Sequence, residues 1–469
     1  MMSQLSQSAA GASDDLRMLM RGTVVLPESD SFKKSNGSAV LARDSAFERA
    51  RKIWNDAVAS QPALIALCET PEDVQAAIRV ARKHKLPLSV RGGGHDWVGR
   101  ALRNDGLVID LTKMRGVEVD RQSRTAAVSG GARSIDVIEA AAPYSLVAVT
   151  GNNSGVGMAG LTLGGGYSLL SPRYGLAADN LLSADVVLAD GRHLTADEEN
   201  NAELFWALRG GGGNFGVVVS MRIRLHEVRE LFTGSILYPI SEAETVLRRY
   251  AQLAATAPDE LGVLAAIASG PDGSPIVSFA TLWTCESATM QVLDDIQHLG
   301  TPLLAEIAPT SYAAMLGHFD AQAISGRHYY LRTCWLSDLT SEAVSAIVAA
   351  GNTKTSPYSA IALQHFRGAP TRVRPDATAF GQRQPHFMVE LIAAWEPHAE
   401  DGGVAERQWV EDAWRALEPF ALPGGYANLL APDQHQQIAQ AYGANAGRLR
   451  KIKQRFDPDG VFSSALPLP

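Results

Sequence analysis

An arginine, three glycines and a histidine stand in a row at Arg91-Gly92-Gly93-Gly94-His95, directly behind the apolar run Leu88-Ser89-Val90. Glycines let backbone N–H groups approach an anion, because no Cβ intervenes and positive φ is open to them. Arg91 could add charge, and His95 would stand at the mouth of a loop shaped to hold a phosphate. The plainer alternative is a tight glycine turn with an incidental histidine, and this stretch alone leaves both open. A second glycine-rich run extends from Gly151 to Gly166 and contains a formal G-x-G-x-x-G at Gly155, Gly157 and Gly160, with Asp179 19 residues further on. A dinucleotide-binding βαβ unit is nevertheless a poor fit. Gly164, Gly165 and Gly166 interrupt the helix that motif should open, at about 1 kcal/mol for each mid-helix glycine. A backbone-lined trough against a flat or extended ligand fits better.

The elements around these runs follow from periodicity and end signals. Residues 62–68 suit a short buried strand. Thr70-Pro71-Glu72-Asp73 then supplies an N-cap, a proline at the first helical position and early acids, with Val74, Ala77, Ile78 and Ala81 at helical spacing. The order is strand, helix, strand, anion loop. Further strands are expected at 106–111, 117–119, 125–128, 146–149, 184–189 and 217–219, a helix from Ser134 through Ala142, and a short amphipathic helix at 203–208. From about 229 the glycine clusters thin out. Strand-like runs (235–238, 276–282, 328–335, 387–394) alternate with helix-like ones (241–256, 286–299, 340–350, 403–419), which reads as an antiparallel sheet carrying helices. Gly424-Gly425-Tyr426-Ala427-Asn428 brings glycine back, and a helical stretch from Pro432 to Phe456 ends in the turn Asp457-Pro458-Asp459-Gly460.

With 469 residues, two domains are expected. The chain is 46% hydrophobic and 20% charged, with a net charge of −8, which argues against a protein that tracks nucleic-acid phosphates. Cys68, Cys285 and Cys334 are scattered and give neither metal-ligand spacing nor a disulfide framework. No run reaches transmembrane length, and Met1 to Met20 lacks the apolar stretch of a signal peptide. The expectation is a cytoplasmic protein without metal, membrane or nucleic-acid partners, with residues 1–21 a disordered leader.

Taken together, Arg91–His95, the 151–166 trough, Tyr174–Asn180, Leu204–Gly216, Tyr426-Ala427-Asn428 and Arg455-Phe456-Asp457-Pro458 resemble the berberine-bridge-enzyme-like branch of the vanillyl-alcohol-oxidase flavoproteins. The resemblance implies an α+β, two-domain FAD-binding fold of the vanillyl-alcohol-oxidase/PCMH type. Its discontinuous FAD domain would be 22–228 plus 424–469, and its antiparallel-sheet substrate domain 229–423. It implies FAD bonded covalently to His95. Many relatives add a cysteine link in the trough, where this chain has Asn153, so a single link is expected. The cofactor contacts implied are Arg91, Gly92, Gly93, Gly94, His95, Asp96 and Gly99 in the first loop. Thr150, Gly151, Asn153, Gly157, Gly160, Gly164 and Gly165 follow in the trough, then Tyr174, Gly175, Asp179 and Asn180, and finally Val218, Tyr426 and Asn428.

Catalytic candidates are fewer. Gln364 stands where relatives place a substrate-facing residue, some of them a Glu that acts as base. His386, Met388 and Glu390 share one strand face by period two, which makes His386 and Glu390 candidate bases, though for each a structurally paired side chain is the plainer alternative. Tyr426 lies where the chain returns to the flavin, and Leu429 takes the place of a tyrosine that is catalytic in some relatives. The expected reaction is oxidation of a small amine, alcohol or secondary metabolite, with hydride passing to flavin N5 and then to dioxygen, giving hydrogen peroxide. A non-redox or oxidative cyclase on the same fold is the alternative, a flavin-storage protein without turnover is another, and a homodimer is left open.

Overall fold

The computed structural model describes residues 2–27, 46–284 and 291–469. Residues 28–45 of the expected FAD unit, Cys285 and the first residues of the helix expected over 286–299 lie outside that range. Strands β1 (Thr23–Val25), β2 (Leu64–Leu67), β3 (Leu88–Arg91) and β4 (Leu107–Asp110) form a sheet ordered β1-β2-β4-β3. Here β2 and β3 run parallel to β4, and β1 runs antiparallel to β2. The crossover from β2 to β3 is the helix Pro71–His84. Thr70 caps it, with Oγ1 accepting the Asp73 N–H at 3.3 Å, and the buried Asp73 carboxylate also takes the N–H groups of Arg21 and Glu69.

Residues 2–19 are helix, a correction to the expected leader. Serine, glutamine and glycine gave this stretch the texture of an unfolded tail. Ala12, Ser13 and Leu16 are nevertheless buried against Pro71–His84, and Asp15 pairs with Lys83 and His84 at 2.7 Å. Burial of one face supplied the stability that propensity did not.

Next come β5 (Val117–Asp120), β6 (Thr125–Ser129), β7 (Leu146–Val147), β8 (Leu181–Val187), β9 (His193–Ala196), β10 (Val217–Arg224) and β11 (His226–Glu227). Five of them make an antiparallel sheet ordered β5-β6-β10-β8-β9, while β7 pairs with β11. The helix Ser134–Ala141 is capped at Arg133 rather than Ser134, with the Asp136 carboxylate accepting the Arg133 N–H. The C-terminal helix Ala446–Phe456 packs into the same core through Leu449 and Ile452. The single helix expected from Pro432 is broken, because Gly443 takes φ +48 between His435–Gln440 and Ala446–Phe456.

The rest is a seven-stranded sheet of β12 (Phe232–Pro239), β13 (Leu261–Ser269), β14 (Pro275–Trp283), β15 (Leu304–Pro309), β16 (His328–Leu336), β17 (Ala360–Phe366) and β18 (His386–Trp395). Its order is β15-β12-β14-β13-β17-β18-β16, and every neighbouring pair is antiparallel. One face, with Phe279, Phe387, Val389 and Leu391, packs against the helices Ala243–Thr256, Ser341–Asn352 and Val404–Leu417. The opposite face of β18 presents His386, Met388 and Glu390, and by register Trp335, Thr333 and Gln364 share it. That face closes over the end of the glycine trough.

Candidate FAD and substrate site

The first glycine loop leaves the C-terminal end of β3, the edge at which parallel strands present ligands. The backbone N–H groups of Gly92, Gly93, Gly94 and His95 donate to no acceptor among the described residues. Gly94 has φ +71, which turns the run into a concave nest of donors. Four N–H groups left without a protein acceptor are the chemistry a pyrophosphate needs. The Arg91 guanidinium does not join them. It lies under the loop, pairs with the buried Asp110 carboxylate at 3.3 Å and donates to the Ala50 carbonyl. The charge expected to face the anion is therefore neutralised beneath it, and Arg91 shapes the turn. Asp96 likewise folds the loop: its carboxylate accepts the N–H groups of Val98 and Arg100, and Gly99 has φ +88 against Val58.

The two glycine runs meet back to back. A Cβ on Gly93 or Gly157 would overlap the other loop's backbone. Beyond this contact the helix Met158–Leu163 opens, and a Cβ on Gly160 would meet nothing within 4 Å. The trough therefore has an open backbone floor at Gly160. Gly164 and Gly165 serve packing instead, one lying under the Asn428 amide and the other against the Phe380 ring. Asn428 donates to Tyr426 Oη at 3.0 Å and toward the Gly160 carbonyl at 3.3 Å, which leaves Oδ1 to accept from a ligand hydroxyl. The Val218 carbonyl lies against Gly130, and Thr150 Oγ1 is engaged by the Tyr312 hydroxyl at 3.0 Å, below the Gly151 turn.

His95 sits beside the trough with its ring stacked on Trp54 (centroids 4.5 Å apart, planes 16° from parallel). Nε2 is 3.2 Å from Asn153 Oδ1. Burial pushes its pKa down to about 4, so the imidazole is neutral and carries a lone pair at pH 7.

Four expected contacts are engaged by protein atoms, Asp179 across to the second half and Asn180, Tyr174 and Gly175 within the first. Asp179 forms a bidentate pair with buried Arg383 at 2.8 Å and also accepts the Leu176 N–H. Asn180 donates to the carbonyls of Tyr174 and Leu176, and its Oδ1 meets His226 Nε2. Tyr174 stacks on His226 at 4.0 Å, and Gly175, at φ +84, packs against Asp179. The Asp179 and Asn180 side chains are satisfied by the protein, whereas the buried Tyr174 hydroxyl has no hydrogen-bond partner among the described residues.

Above the trough, the expected bases separate. His386 is fully buried with both nitrogens engaged. Nδ1–H donates to the Gln384 carbonyl at 2.8 Å, so Nε2 accepts from the Tyr167 hydroxyl, also at 2.8 Å. Burial lowers its pKa to about 4, and with no free nitrogen it orients Tyr167 rather than acting as a base. Glu390 differs: it makes no hydrogen bond or ion pair with any described residue, and burial alone raises its pKa to about 7. Its charge is felt at both the Tyr167 and Tyr426 hydroxyls. Tyr426 Oη accepts the Gly166 N–H at 3.1 Å, and burial raises its pKa to about 12, so it stays protonated.

Gln364 is oriented by a chain of contacts that the sequence does not announce. The Leu169 N–H donates to Asn152 Oδ1 at 3.2 Å, so the Asn152 amide nitrogen faces Gln364 Oε1 at 3.4 Å. Gln364 therefore turns its NH₂ donor away from Asn152. The sheet face thus carries an acceptor carboxylate and a donor amide on adjacent strands among apolar Trp335 and Met388. Asn152 lies inside the glycine-rich run and Tyr167 directly after it, but their partners Gln364 and His386 are about 200 residues away, so nothing local marks either.

Comparison with known proteins agrees with this geometry. Residues 62–197 match the family described as FAD binding domain, and residues 425–469 the one described as berberine and berberine like. An uncharacterized FAD-linked oxidoreductase of Bacillus subtilis, YvdP, is 31% identical over 92% of this chain and 98% of its own length. The (R)-6-hydroxynicotine oxidase of Paenarthrobacter nicotinovorans is 39% identical over 44% of this chain and 46% of its own. Among solved structures, 6-hydroxy-D-nicotine oxidase from Arthrobacter nicotinovorans superposes with a TM-score of 0.83 at 26% identity, covering 96% of this chain and 98% of that one. Berberine bridge enzyme from Eschscholzia californica shares the fold, with a TM-score of 0.84 at 22% identity over 98% and 99% of the two chains.

Proposed function

From the premise that this chain belongs to the FAD-linked oxidoreductases with a berberine-like C-terminal segment, we propose an oxidase that carries FAD through one covalent bond to His95. Residues 22–228 and 424–469 hold the cofactor in this reading, and 229–423 roof it and select the substrate. The observation that carries the reading is the run of free N–H groups from Gly92 to His95, ending in a neutral imidazole. Bound FAD supplies the two-electron acceptor for a substrate C–H and passes the electrons to dioxygen, giving hydrogen peroxide.

The chain's own residues do the rest. The nest binds the pyrophosphate, and Asn428 Oδ1 accepts from the ribityl chain. Glu390 takes a proton from the substrate O–H or N–H, its raised pKa suiting a base that works near neutrality. Gln364 NH₂ donates to a substrate acceptor, and Tyr426 stays a hydrogen-bond donor. Trp335 and Met388 exclude water from the substrate body. The substrate class supported is a small, mostly apolar amine, alcohol or secondary metabolite with one donor and one acceptor group.

Two measurements test this. Acid-precipitated protein should stay yellow, while His95→Ala should release its flavin. Peroxide release across a panel of cyclic amines, alcohols and sugars should find a substrate whose turnover consumes dioxygen. Product formed without oxygen uptake would replace the oxidase by a non-redox cyclase.

A further inference from the structure

We propose that Asn153 is the positioning residue for flavin attachment, its amide oxygen fixing His95 as the Nε2–H tautomer so that the Nδ1 lone pair bonds the cofactor. The inference rests on the reading of His95 as covalent anchor. It begins with an orientation the structure determines. The Gly155 N–H donates to Asn153 Oδ1 at 2.9 Å, so it is the amide oxygen, not the nitrogen, that occupies this turn. The same oxygen stands 3.2 Å from His95 Nε2. A carbonyl oxygen only accepts, so Nε2 must carry the hydrogen. In a neutral imidazole the lone pair is then on Nδ1, which no other residue's side chain or carbonyl holds, the ring's one further contact being with the backbone of His95 itself.

Stacking resists a turn of the ring that would swap its nitrogens. Trp54 stacks on it, and Trp54 is itself held by its Nε1–H bond to the Ala323 carbonyl (2.9 Å) and by stacking on Tyr329 (3.8 Å). The Asn153 turn is anchored from the substrate half, where Asp320 Oδ1 accepts the Ser154 N–H at 2.9 Å.

The attachment step balances as follows. A C–H bond of the flavin 8-methyl group breaks and an Nδ1–C bond forms. The methyl proton and the Nε2–H proton leave, and two electrons pass through the ring system to dioxygen, which becomes hydrogen peroxide. Positive charge builds on the imidazole as Nδ1 gives up its lone pair. Asn153 Oδ1, on the Nε2–H, stabilises that charge with a hydrogen bond that strengthens during the step.

The test uses the full chain purified with its flavin and incubated aerobically with FAD. Covalent flavin is read on the acid-denatured protein, and total flavin by absorbance before denaturation. Wild type and Asn153→Asp, which keeps an acceptor oxygen, should carry covalent flavin. Asn153→Leu should bind FAD yet attach it roughly ten-fold or more slowly, as expected for losing one hydrogen bond to a developing charge. Nuclear magnetic resonance of the flavin peptide should show the bond at Nδ1. Asn153→Leu attaching as fast as wild type, or a bond at Nε2, overturns the proposal while leaving the anchor intact. If Asn153→Leu fails to fold, Asn153→Asp decides: normal FAD binding without attachment also overturns it. Wild type that releases all flavin in acid removes the anchor itself, and the role of Asn153 with it.

Discussion

Replacing Glu390 by glutamine should make the protein more stable above pH 7 and much less active. Glu390 is partly buried on the inner face of β18 and makes no hydrogen bond or ion pair with a described residue, and the loss of solvent around it raises the carboxyl's pKa to about 7 from an ordinary 4.5. A carboxyl whose pKa is raised by folding holds its proton more tightly in the native state than in the unfolded chain. As pH climbs from 4.5 the unfolded state loses that proton first, so stability falls until the native group also ionises near 7. A shift of about 2.5 units at about 1.4 kcal/mol each gives a cost of about 3.5 kcal/mol well above pH 7, and under about 1 kcal/mol at pH 5. Glutamine removes the titration with little change of shape. Thermal unfolding followed by tryptophan fluorescence should therefore show Glu390→Gln melting higher than wild type at pH 8 and nearly level with it at pH 5. In the same protein, stopped-flow flavin reduction should slow by about 10²–10⁴-fold, the usual contribution of a general base, and the wild-type rate should rise through pH 7. A variant that melts lower than wild type at pH 8, or a gain equal at both pH values, would show that Glu390 is paired in the native state and refute the reasoning.

Other perturbations separate packing from binding. Asp179→Ala leaves Arg383 buried and unpaired and should cost about 3–5 kcal/mol in urea unfolding, with Arg383→Ala similar and the double variant less than their sum. A Cβ at Gly160 meets no atom within 4 Å, so Gly160→Ala should melt as wild type while weakening FAD binding in a fluorescence titration, whereas Gly93→Ala collides with the Gly157 backbone and should fold poorly. Leu16→Ala should cost about 2–5 kcal/mol, because the first helix is packed on Pro71–His84; an unchanged melting curve would return that segment to a loose tail. His386→Gln should lower activity without moving the pH profile, since the group that titrates is Glu390; a profile that shifts would make His386 the base after all.

What could be read from the chain was whatever is local. Thr70-Pro71-Glu72-Asp73 announces a helix because its partners lie within three residues. That the Gly92–His95 N–H groups are left without a protein acceptor is legible because it depends on nothing beyond the run's own glycines. The period-two face carrying His386, Met388 and Glu390 is also local, but it could not say which residue was free. Tyr167, 219 residues away, occupies His386 and leaves Glu390 alone. Asp179 and Asn180 look like ligand contacts until Arg383 and His226 arrive to satisfy them. Arg91 followed the same pattern: an arginine beside three glycines suggests a phosphate, and only the fold reveals Asp110 beneath it. Misreadings fell on polar residues, since a hydrogen-bond partner distant in sequence leaves no periodic trace.

Phe380 fills the notch left by Gly165 and Gly210, and Arg383, three residues on, locks to Asp179. Tyr312 pins the opposite rim through Thr150 and Ser168. Ties on both flanks hold the two halves of the molecule together. With two such ties the seven-stranded sheet is registered against the glycine trough at both rims, so loosening one tie leaves the other to hold the roof in place.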